Sequence, residues 1–129
     1  MSRPRRRVMI VDDDRDLRSS IADVLEDGDY LPVQARNGAD ALRLLRGPGE
    51  RPDLILLDVS MPVMDGPEFR QEQRRAPDLS GIPVIVLTAD VDMERIASEM
   101  RADACLKKPI RLDALLDAVA RVSARRASA

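Results

Sequence analysis

The sequence predicts an α/β fold, a doubly wound parallel β-sheet of five strands with five helices on its two faces. Three observations carry this reading. Short apolar runs alternate five times with segments of helical periodicity. The runs, "VMIV", "LILL" and "VIVL" among them, are nearly continuously apolar, the pattern of strands buried on both faces. The 129 residues, 44% of them apolar, suffice for one domain with its own core. Right-handed crossovers then complete the doubly wound form.

The elements follow in order. Residues 1–7, "MSRPRRR", read as a basic arm, 8–124 as the domain and 125–129 as a tail. "VMIV" (8–11) is the first strand. "DRDLRSSIADVLEDG" follows as a helix, with Leu17, Ile21, Val24 and Leu25 at helical spacing and Gly28 as the stop. "YLPVQA" (30–35) is a weaker strand, and Pro32 suits a sheet edge. "NGADALRLLRG" turns Ala41, Leu42 and Leu45 inward. "DLILLD" (53–58) is the central strand. "GPEFRQEQRRA" is a short polar helix with Pro67 near its first turn. "IPVIVLTA" (82–89) is a fourth strand, and "DVDMERIASEMRA" a helix with Met93, Ile96 and Met100 on one face. "ACLKK" (104–108) is the fifth strand. "RLDALLDAVARVSARR" closes the fold on Leu112, Leu115, Leu116, Val119 and Val122.

Composition excludes several functions. There is no histidine, which removes Ser-His and Cys-His catalysis and every His-ligated metal site. Cys105 is the one cysteine, so an internal disulfide is impossible and a reducing compartment fits. The net charge of −2 does not suit an electrostatic nucleic-acid binder, and the basic ends are read as solvated tails. No apolar run approaches a membrane span, and the N-terminus is not a signal peptide. A cytoplasmic protein that binds neither nucleic acid nor membrane is expected.

In an open parallel sheet, ligands bind beyond the carboxyl ends of the strands. Strand one ends here in Asp12, Asp13 and Asp14, strand three in Asp58, strand four in Thr88, and strand five in Lys107 and Lys108. An aspartate after a strand is also a common helix N-cap. Asp14 is read so; for Asp12 and Asp13 both readings stand. Lys107 reads as a solvated side chain and Thr88 could be an ordinary strand residue. Asp58 resists such a reading, because the Pro-containing turn after it does not start a helix. Carboxylates crowded at one edge repel unless a cation or a proton intervenes, and oxygen ligands without histidine suit Mg²⁺. A carboxylate beside Mg²⁺, faced by a hydroxyl and a lysine, can form an aspartyl phosphate.

"VMIVDDD", "LILLDVSMPVMDG", "VIVLTA" and "LKKPI" resemble, in order and spacing, the receiver domains of two-component response regulators. The resemblance spans about Val8 to Val122. It implies a flavodoxin-like sheet of strand order 2-1-3-4-5 and a phosphorelay role. Asp58 would be the phosphoacceptor. Asp13 would bind Mg²⁺ directly, with Asp12, Asp58 and the backbone carbonyl of Ser60. Thr88, Ala89 and Lys108 would hold and sense the phosphoryl group, and Ser60 and Asp90 would tune its hydrolysis. A cis peptide is expected before Pro109. The donor would be a phosphohistidine on a sensor histidine kinase or phosphotransfer protein. Three positions depart from the family pattern: Cys105 stands where an aromatic switch residue is usual, Arg101 replaces a glycine, and Ile110 replaces a phenylalanine. Without the aromatic, readout through the loop from Ala89 to Asp92 and the next helix is expected.

The resulting expectation is a stand-alone receiver, not an enzyme beyond its own phosphorylation and dephosphorylation. It switches an unknown protein target, as a monomer or a phosphorylation-dependent dimer. The alternative is a phosphorylation-independent adaptor on the same fold. A phosphatase resembling the haloacid dehalogenases would need a second aspartate where Ser60 stands.

Overall fold

The computed structural model describes residues 5–128. Ten elements alternate without exception: β1 (Arg7–Val11), α1 (Arg15–Asp27), β2 (Leu31–Ala35), α2 (Gly38–Arg46), β3 (Leu54–Asp58), α3 (Gly66–Arg75), β4 (Val84–Thr88), α4 (Met93–Met100), β5 (Ala104–Lys107) and α5 (Leu112–Ser128). The five strands form one parallel sheet in the order β2-β1-β3-β4-β5. The fold is the flavodoxin-like arrangement.

Strand alternation divides the core in two. Met9, Val11, Ile55, Leu57, Val84 and Val86 face α2, α3 and α4, where Leu42, Leu45, Phe69, Ile96 and Met100 meet them. Val8, Ile10, Leu54, Leu56, Ile85 and Leu87 face α1 and α5, against Ile21, Leu25, Leu115, Val119 and Val122. β3 and β4 are buried along their whole length because both faces are covered. β2 lies at one edge, where Pro32 removes no needed ladder hydrogen bond.

Boundaries differ in places from the sequence reading. Arg7 joins β1, pairing with Leu31, while the arm's residues 1–4 lie outside the described residues. Arg5 and Arg6 are tied down, by an ion pair to Asp29 at 3.1 Å and a hydrogen bond to the Ser123 carbonyl at 3.2 Å. The fourth strand begins at Val84, since Ile82 donates its N–H to Leu79 in a turn rather than to the ladder. α5 runs through Ser128, into the segment read as a tail, and residue 129 is not described.

α3 is more than a polar surface helix. It buries Phe69, Arg70 and Gln73. Arg70 Nε donates to the Met100 carbonyl at 2.9 Å and Nη2 to the Arg101 carbonyl at 2.8 Å, so it caps the end of α4. Its Nη1 meets Gln73 Oε1 at 2.8 Å, and Gln73 Nε2 donates to the Leu79 and Ile82 carbonyls at 3.0 and 2.9 Å. The pair satisfies carbonyls that the irregular segments beside it would otherwise bury unpaired.

Candidate functional site

The parallel register brings the strand ends to one edge. Val11 pairs with Leu57, Asp58 with Leu87, and Thr88 with Lys107. Asp12 leaves β1 fully buried, and its N–H donates to Ala35 O at 3.2 Å. Asp58 is the last residue of β3 and 3% exposed. Lys108, just beyond β5, donates its backbone N–H to Thr88 O at 2.7 Å. The Lys108–Pro109 peptide is cis.

Lys108 Nζ lies 2.9 Å from Asp12 Oδ2 and 3.1 Å from Asp58 Oδ1. Asp12 Oδ1 accepts the Asp14 N–H at 2.9 Å. Asp12 Oδ2 touches the ammonium outside hydrogen-bond geometry and accepts no hydrogen bond from any described residue. Lys108 is the cation beside that oxygen and is shared with Asp58, so three clustered carboxylates face one ammonium and an excess of negative charge remains. Asp12, Asp13 and Asp58 can each offer an oxygen, all within 4.8 Å of one another. Hard oxygen donors with room for water suit Mg²⁺. The residues present therefore fit that ion.

Burial, then repulsion from Asp12, push the Asp58 carboxyl up to about 6, against the opposing pull of Lys108 and the Ser60 backbone. Burial alone would lower the Lys108 pKa. The carboxylates of Asp12 and Asp58 outweigh it and hold the ammonium above its ordinary range. The site is thus a strained balance of like charges around one lysine.

The loops support this geometry. Asp14 caps α1, its Oδ1 accepting the Leu17 N–H at 3.1 Å. Thr88 Oγ1 accepts the Asp90 N–H at 3.0 Å, and Asp90 Oδ1 the Asp92 N–H at 2.8 Å. The β3–α3 loop folds back on the strand end: Gly66 donates to Val59 O at 2.9 Å, and a Cβ there would stand 2.6 Å from the Asp58 carbonyl. Only glycine allows that approach.

Asp13, Asp14, Asp58, Ser60, Thr88, Ala89, Asp90 and Lys108 line a common cleft of about 450 Å³, with Ile96 of α4 at its wall. Lys107 is outside it, exposed beside Val91 and Met93. Cys105 is also outside, half-buried against the α4-side core, and burial pushes its thiol pKa up. It packs as a small apolar side chain rather than a reactive thiolate. Sequence reasoning missed Arg18, whose Nη1 donates to the Asp12 carbonyl at 2.5 Å; nothing in the local sequence sets it apart from the other helix arginines.

The sequence matches the family described as "Response regulator receiver domain" over residues 8–120. The chain belongs to the response regulator receiver domains. It is 40% identical over 112 residues to the response regulator MprA of Mycolicibacterium vanbaalenii, an alignment covering 85% of this chain and 47% of that protein. The chain spans about half the length of the curated relatives it matches. Among solved structures, the chemotaxis response regulator CheY4 of Vibrio cholerae superposes with a TM-score of 0.84 at 30% identity, covering 92% of this receiver and 99% of that chain. The signal receiver domain of a histidine kinase from Syntrophus aciditrophicus gives 0.82 at 35%, covering 92% and 89%. This receiver domain thus shares its fold both with response regulators and with a receiver carried on a kinase. No described helix is long and apolar enough to cross a membrane.

Proposed function

We propose that this receiver accepts a phosphoryl group on Asp58 from a phosphohistidine, in a Mg²⁺-dependent reaction, and thereby switches the binding of a protein target. The observation that carries the proposal is the placement of Asp58 beside Asp12 and Asp13, with Lys108 Nζ 3.1 Å from its carboxylate. The donor belongs to a sensor histidine kinase or a phosphotransfer protein. These 129 residues hold no histidine to supply it.

In the transfer, an Asp58 carboxylate oxygen forms a bond to phosphorus as the phosphorus–nitrogen bond of the donor breaks. The nitrogen keeps the electron pair, and the donor ring, carrying a proton on its other nitrogen during the transfer, leaves as neutral imidazole. Asp58 must be ionised to attack. Asp12 and Asp13, together with Asp58 and the Ser60 carbonyl, would hold Mg²⁺, which supplies positive charge against the crowded carboxylates and the phosphoryl oxygens. Lys108 is placed to exchange its carboxylate contact for a phosphoryl oxygen. Thr88 and Ala89 line the same cleft, and the Thr88 hydroxyl and the Ala89 N–H would receive the other oxygens. Ser60 and Asp90, at the cleft's rim, would govern the access of hydrolytic water. Readout passes to α4, because Asp90 leads into it and Ile96 forms the cleft wall.

Intact-protein mass spectrometry after incubation with acetyl phosphate and Mg²⁺ tests the proposal. One added phosphoryl group is expected, absent in Asp58→Asn and in EDTA. If no adduct forms and beryllofluoride does not bind, the phosphorylation-independent adaptor is the better reading.

A further inference from the structure

We infer that Arg18, on the exposed side of the acidic loop, is a positioning residue for the metal pocket: it fixes the peptide plane from which Asp13 projects. The inference rests on the Mg²⁺ reading above and deepens it.

Asp13 is exposed, and no described residue hydrogen-bonds or ion-pairs its carboxylate. Its aim toward Asp12 and Asp58 is therefore set by its backbone. On its C-terminal side, Asp14 is fixed twice, by its N–H to Asp12 Oδ1 and by its own cap on α1. On its N-terminal side stands the Asp12–Asp13 peptide. That unit is planar, so orienting the Asp12 carbonyl orients the Asp13 N–H and Cα with it.

The Asp12 carbonyl is held by Arg18. Its Nη1 donates to Asp12 O at 2.5 Å, and its Nε is braced by Gln34 Oε1 on β2 at 3.2 Å. The guanidinium thus bridges α1, the end of β1 and the edge strand. A planar, forked donor suits this better than a lysine's single point charge. Partners that orient metal ligands without touching the metal commonly matter about 10–100-fold in affinity.

Electrostatics alone gives the opposite expectation. Arg18 puts a positive charge near a site for a divalent cation, so removing it should tighten Mg²⁺ by relieving repulsion. A positioning role should weaken it. The sign of the change therefore separates the two.

The experiment is calorimetric titration of the protein with MgCl₂ alone, at constant ionic strength, with thermal melting of each variant in parallel. Wild type should bind and Asp13→Asn should not. Arg18→Ala should weaken Mg²⁺ about tenfold or more. Arg18→Lys, able to reach Asp12 O but not to keep the Gln34 brace, should fall between. Gln34→Ala, which keeps the arginine's charge and the fold's interior untouched, should weaken binding severalfold and covers the case in which Arg18→Ala fails to fold. Unchanged or tighter binding in Arg18→Ala, or in Gln34→Ala where the first variant does not fold, overturns the inference while the metal site stands. Failure of wild type to bind Mg²⁺ overturns both.

Discussion

At the scale of single residues, Asp58 and Lys108 make stability depend on pH and on charge. Asp58 binds a proton more tightly folded, at about 6, than an ordinary aspartate at 3.8. Its contribution to stability is therefore fully present below pH 4 and is lost as pH rises through 6, a loss of roughly 3 kcal/mol. Without Mg²⁺, Asp58→Asn should melt higher than wild type at pH 7, with the gap closing toward pH 4.5; an unchanged gap across that range would rule out the protonation account. Lys108→Met removes the cation between two buried carboxylates. It should cost about 2 kcal/mol at pH 7 in denaturant titration and raise the Asp58 pKa further, readable by carboxyl NMR. The meeting of Asp58 with a lysine was legible in the sequence because strand ends in a parallel sheet must converge, although only the family resemblance separated Lys108 from its neighbour Lys107. Arg18 was not, because it acts on a backbone carbonyl, and sequence patterns record side-chain types rather than the carbonyls they reach.

At the scale of elements, the loop from β3 to α3 and the end of α4 are the tightest joints. Gly66→Ala would drive a Cβ into the Asp58 carbonyl at 2.6 Å, against backbone that cannot rotate away. A loss of about 2–3 kcal/mol is expected in equilibrium unfolding. Arg70→Met would leave the Met100 and Arg101 carbonyls and Gln73 Oε1 without that partner, at about 3 kcal/mol. Hydrogen exchange should then quicken first at the end of α4. Helix α4 is held unequally: Arg70 caps its C-terminal end, whereas Asp92 at its start makes no side-chain cap bond. The periodicity of Leu42, Leu45, Leu115 and Val119 made α2 and α5 plain in the sequence. Helix α3 was legible as a short polar helix, but periodicity could not reveal what it buries, because Arg70 and Gln73 count as polar wherever they stand, and only the folded neighbours show that both are buried and satisfied.

At the scale of the whole molecule, the alternation of strands and helices disclosed the architecture, since unbroken apolar strands require cover on both faces. The exact strand limits depended on local ladder bonds and were less visible. Ligand linkage acts on the entire fold: Mg²⁺ at a hundred times its Kd should stabilise the receiver by about 2.7 kcal/mol, roughly 10 °C in Tm, and not do so in Asp13→Asn. The charge arrangement has one more result. Of all the side chains in this sequence, only Lys107 and Lys108 are primary amines, because every other basic residue is arginine. Lys107 is open to solvent, while Lys108 is kept protonated by Asp12 and Asp58. An acylating reagent therefore meets one fast amine and one protected amine side by side. The protected one is a built-in reporter of the cleft: its labelling rate rises whenever a carboxylate beside it is neutralised, by substitution or by a bound cation.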